Sequence, residues 1–82
     1  MLVDLLLRPV PVYTGSGDQE GQLVLADGRL VAVLVRLDDT SHAGLVGAWF
    51  LEAGFGPCAQ VVAPTFGDLD AAKHWIRQQF ET

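Results

Sequence analysis

The sequence predicts an α+β fold: an antiparallel three- to four-stranded β-sheet, run as a β-meander, with one C-terminal amphipathic helix packed on one face. Three observations carry this. Two apolar runs, QLVLA and RLVAVLVRL, flank Asp27-Gly28, the dipeptide suited to a type I′ hairpin turn because both central positions need positive φ. A third apolar run extends from Leu45 to Phe55. Leu69, Ala72, Trp75, Ile76 and Phe80 then recur at spacings of three and four, which gathers them into one stripe of a helix.

Taken in order, the chain reads as a single domain over 1–82, too short for two. Segment 1–13 opens with the apolar run LVDLLL and contains Pro9 and Pro11. Prolines hold the backbone around them extended, so an edge segment is favoured over a helical turn. Residues 14–21 are rich in glycine and polar side chains and read as a flexible loop. The sheet is expected over 22–63. A simple two-residue turn pairs Ala26 with Arg29, Leu25 with Leu30, Val24 with Val31 and Leu23 with Ala32. One face then holds Val24, Val31, Val33, Val35 and Leu37. The other holds Leu23, Leu25, Leu30, Ala32 and Leu34. Both faces are apolar, whereas a hairpin with one wet side alternates apolar with polar. Gln60–Ala63 reads as a short fourth strand. The helix is expected over 68–81, with Asp68 as N-cap, Asp70 in the first turn, and Lys73 and Arg77 beyond.

Composition narrows the function. Hydrophobic residues make up 50% of the 82 and charged residues 18%, which argues against disorder. A core this small supplies on the order of 3–5 kcal/mol, and small domains usually add a disulfide, a metal or a partner. Cys58 is the single cysteine, so no disulfide forms within one chain. The net charge is −5, with five basic residues against ten acidic ones. Displacing counterions from phosphate needs clustered Lys and Arg, so nucleic acid is excluded as a partner, and an anionic membrane with it. The first residues lack a basic segment, carry Asp4, and break at Pro9, unlike an export signal. The cytoplasm is the expected compartment.

No catalytic cluster emerges. Gly54-Phe55-Gly56-Pro57-Cys58-Ala59 matches the letters G-x-G-x-x-A, but a dinucleotide site needs that pattern to open a helix, and Pro57 stands inside it. Cys58, His42 and His74 have no metal-ligand spacing, so no metal is expected. Cys58 after a strand has the position of a nucleophile, while a small buried apolar role is the commoner fate of a cysteine. Glu52 interrupts an apolar strand; it is either a carboxylate tuned to act as acid or base or to bind a ligand cation, or an ordinary one that meets solvent or pairs with Arg36. Trp49, Phe50 and Phe55 are placed to line a groove or to fill a core. Trp49, Glu52, Cys58 and His42 are therefore the candidate ligand-binding residues; catalytic residues, metal and cofactor are assigned as none.

Gly47-Ala48-Trp49-Phe50-Leu51-Glu52-Ala53-Gly54-Phe55-Gly56-Pro57-Cys58, followed by the helix Leu69-Asp70-Ala71-Ala72-Lys73-His74-Trp75-Ile76, resembles small uncharacterised bacterial single-domain proteins. The ending also resembles that of small three-stranded sheet-plus-helix modules. The likeness covers roughly the C-terminal half, implies a β-meander plus a C-terminal helix, and assigns no activity. The leading expectation is a non-enzymatic structural or protein-interaction module that self-associates, with a dimer favoured and an unidentified protein partner as the variant. The alternative is a small-ligand-binding or weakly catalytic protein with a pocket near Trp49, Glu52 and Cys58.

Overall fold

The computed structural model describes residues 3–14, 17–38, 44 and 46–81. Among these residues the chain is α+β, with one antiparallel sheet and a C-terminal helix. The strands are β1 (Leu5–Pro11), β2 (Glu20–Ala26), β3 (Arg29–Arg36), β4 (Trp49–Gly54) and β5 (Thr65–Phe66). They lie in sequence order across the sheet, β1-β2-β3-β4-β5. A 3-10 turn (Gly56–Cys58) follows β4, and helix α1 spans Leu69–Gln79.

The meander and its helix match the expectation; the strand count is five rather than three or four. Two segments account for the difference. The N-terminal segment, expected to be an extended edge segment with the sheet over 22–63, is itself a strand, paired with β2 from Leu5 opposite Ala26 to Pro11 opposite Glu20. Gln60–Ala63 is not a strand, and Val61 and Val62 are exposed there. The chain rejoins β4 only at Pro64, whose carbonyl accepts the Leu51 N–H at 3.1 Å, so β5 begins one residue later. Glu20 and Gly21, expected in the loop, belong to β2. The loop itself is anchored: Thr14 Oγ1 donates to the Asp18 carbonyl at 2.6 Å, and the buried Asp18 carboxylate accepts the Asp38 N–H at 2.6 Å.

The hairpin turn is as read, with Asp27 at φ 51° and Gly28 at φ 84°. Asp27 also ties down the start of β1. Its N–H donates to the Asp4 carbonyl at 2.9 Å, and its carboxylate accepts the Asp4 N–H at 3.0 Å. Beyond the turn the expected register holds for two pairs only. Val31 is an extra residue in β3, so Val24 pairs with Ala32 and Leu23 with Val33. A one-residue slip exchanges the faces of everything that follows. Val24, Val31, Ala32 and Leu34 therefore share the helix side, while Leu23, Leu25, Leu30, Val33 and Val35 face away. A second irregularity lies in β4. Val33 pairs with Ala53 but Leu34 with Leu51, leaving Glu52 as the extra residue.

The core lies between the sheet and α1. Val24, Ala32, Leu34, Leu51 and Trp49 from the sheet meet Phe66, Ala72 and Ile76, with Leu69, Trp75 and Phe80 packed at the margin. The Phe66 and Trp75 rings stand 5.6 Å apart at 52°, a tilted contact. Asp68 caps the helix, its carboxylate accepting the Ala71 N–H at 2.8 Å. Gly54 is required by close approach, since a Cβ there would overlap the Cys58 carbonyl.

Candidate interaction surface

Alternation along a strand puts successive side chains on opposite faces. With the helix-side residues assigned, the other face of the sheet follows from the register. It has three rungs. The first is Leu6, Leu25 and Leu30; the second is Arg8, Leu23, Val33 and the Glu52–Ala53 bulge; the third is Val10, Gly21, Val35 and Phe50. The third rung is closed. Val35 and Leu37 are buried there, outside the helix-side cluster. Val12 lies so near Gly21 that a Cβ at that position would meet Val12 Cγ1 at 2.8 Å.

The first two rungs are open. Leu6 is 59% exposed and Leu30 41% exposed, with Leu23, Leu25 and Val33 half-buried between them. Scattered exposed apolar residues are ordinary, whereas a large contiguous apolar patch is uncommon on a monomer and calls for an explanation. Arg8 and Glu52 are the only charged residues on the three rungs, and both are exposed.

The sheet edges are protected. The Asp27 N–H bond to Asp4 and the Val12 N–H bond to the Gln19 carbonyl (2.9 Å) show that even-numbered residues of the β1 region turn their polar backbone toward β2. Odd-numbered residues therefore point their N–H groups outward, and two of these are Pro9 and Pro11, which have none. At the opposite edge, β5 is two residues long. Prolines and short strands are the usual means of keeping an edge from pairing with another chain.

The residues singled out from the sequence do not share a pocket. Trp49 is 7% exposed and Cys58 0%, and both belong to the helix-side core. Burial pushes the Cys58 thiol pKa up from its ordinary value of 9.0. Glu52 projects from the opposite face. Arg36, its suggested partner, stands opposite Trp49 and contacts Asp38 at 3.4 Å and Glu20 at 4.0 Å instead. His42 lies outside the described residues. A shallow depression of about 470 Å³ opens elsewhere, at the turn end of the sheet, among Leu30, Val31, Phe55 and Phe80. Arg8 was overlooked in the sequence. Its position, alternating with Leu6 and Val10, becomes meaningful only once β1 is a paired strand.

No family model, curated protein or solved structure matches the chain. No role passes to any residue from elsewhere, and the geometry alone carries the functional reading.

Proposed function

We propose that this chain is a non-enzymatic structural or interaction module that self-associates through the open face of its sheet. The observation that carries the reading is the continuous apolar patch from Leu6 across Leu25 to Leu30, on the side of the sheet away from α1. Covering it removes apolar surface from water at about 25 cal/mol per Å². The same act reinforces a core that is thin for its size. The protected edges favour association by face over association by strand addition. A ligand-binding role has weaker support, because Trp49 and Cys58 are committed to the core and Glu52 points away from both.

The test is light scattering coupled to size-exclusion chromatography over a concentration series, on the parent chain and on Leu6→Asp and Leu30→Asp. Both leucines are substantially exposed, so the fold tolerates the changes. The expected result is a dimer that forms with rising concentration and a dissociation constant raised at least about tenfold by either substitution. A monomer at every concentration overturns self-association.

A further inference from the structure

We infer that the occupant of the open face is a second copy of the chain, docked face to face about a two-fold axis parallel to the strands, with Arg8 of each copy paired to Glu52 of the other. This rests on the self-association reading above and gives it a geometry.

The argument starts from where the two charges sit. Arg8 lies on β1 and Glu52 on β4, the outer strands of the open face, and the register puts them on one rung: Arg8 opposite Leu23, Leu23 opposite Val33, Val33 opposite the Glu52–Ala53 bulge. Three strand spacings separate them, about 14 Å, so they do not pair within one copy. Neither makes an ion pair among the described residues.

A closed dimer brings the same patch of both copies together. Two in-plane axes are open to a sheet packed face to face on itself. An axis across the strands, through the middle rung, lays β1 over β1 and sets Arg8 against Arg8 and Glu52 against Glu52. An axis along the strands, between β2 and β3, lays β1 of one copy over β4 of the other and keeps each rung level. Every Arg8 then faces a Glu52, at both rims of an apolar centre. The first arrangement places like charges together twice; the second places opposite charges together twice. Charge complementarity selects the second, as it selects register at interfaces generally. Packed sheets stand about 10 Å apart, a gap that an extended arginine and a glutamate bridge between them. The bulge helps, because it gives β4 an extra residue at the level where the carboxylate is needed.

The choice of a second copy over a different protein follows from charge. Only one of the ten acidic residues lies on the three rungs, and Arg8 balances it. The open face is thus a neutral patch on an acidic chain, where two like-charged copies approach at least cost. The two open rungs span four strands and about four residues, a footprint of about 19 by 13 Å per copy. That is smaller than a standard specific interface, so the dimer is weak, with a dissociation constant above micromolar.

The experiment is a charge-reversal cycle read by sedimentation equilibrium on the full chain: parent, R8E, E52R and R8E/E52R, each checked for an unchanged near-UV spectrum. Each single reversal sets two like-charged pairs at the rims and is expected to weaken the dimer about tenfold or more. The double reversal restores opposite pairing and is expected to return the constant to within about threefold of the parent. If either reversal fails to fold, R8Q, E52Q and R8Q/E52Q replace the set, and the double is expected to weaken the dimer no more than either single does, whereas additive weakening overturns the pairing. A parent dimer that all three variants leave unchanged, or singles that weaken without rescue in the double reversal, overturns this geometry while leaving self-association standing. A parent that stays monomeric overturns the self-association reading and this inference with it.

Discussion

Cys58 shows how burial settles a residue's chemistry. Its thiol is fully buried in the 3-10 turn, which packs against β3 and α1, and desolvation raises its pKa above the ordinary 9.0. The sign of the pH effect follows from proton counting. Between 9.0 and the raised folded value the unfolded chain has lost this proton and the folded chain has kept it, so stability falls as pH rises. The contribution is whole below 9.0 and disappears as pH climbs through the folded value. Two outcomes are expected. A thiol reagent reacts with the native protein at pH 8 far more slowly than with the unfolded chain, because the nucleophile is the exposed thiolate. Cys58→Ala, though less stable at pH 7 by about 1 kcal/mol from the lost packing, loses less of its urea midpoint than the parent between pH 7 and pH 10. Fast native labelling sinks the packing role. Sequence alone left Cys58 undecided between nucleophile and filler, because which of the two it becomes depends on the Gly54 notch and the helix above it.

At the scale of elements, β1 carries the clearest consequence. Pro9 and Pro11 occupy outward-pointing positions of an edge strand, so they remove two donors that a neighbouring chain would otherwise pair with. Their removal is expected to open a second mode of association. Pro9→Thr/Pro11→Thr keeps the β1–β2 ladder, whose bonds come from the even-numbered residues, and is expected to form higher oligomers or precipitate at concentrations where the parent does not. Light scattering at matched concentration checks this; behaviour identical to the parent shows that the edge is silenced by something else. The prolines also explain what was legible here. They announced an extended edge segment in the sequence, yet not its partner or register, which depend on contacts with a strand nine or more residues away. The Asp27-Gly28 turn and the helix stripe were legible because their signals are local. The bulges at Val31 and Glu52 were not. A sheet apolar on both faces has no alternation to define its register, and the slip at Val31 moved Ala32 and Leu34 to the helix side without any mark in the pattern.

On the scale of the whole molecule, an unburied second face was visible in the composition of β2 and β3, but its membership was not, because it waits on both bulges. Trp49 and Phe50 are neighbours in sequence and part company in space, one in the core and one on the far face. The assembled charge then sets how association responds to salt. Two chains of net charge −5, each 21 Å through its shortest dimension and so centred about 20 Å apart when docked, repel by roughly 5 kcal/mol in unscreened water. A Debye length near 30 Å at 0.01 M leaves about half of that repulsion, and one near 10 Å at 0.1 M leaves about a seventh. The relief is close to 2 kcal/mol, whereas two exposed rim pairs contribute about 1 kcal/mol together before screening. The repulsion wins, so the dimer is expected to tighten about tenfold between 0.01 and 0.1 M salt, although its rim is built of ion pairs. Sedimentation equilibrium at the two ionic strengths measures it. Weakening over the same interval means that the rim pairs outweigh the net charge, and that copies meet with far more of their acidic surface turned apart than a face-to-face pair allows.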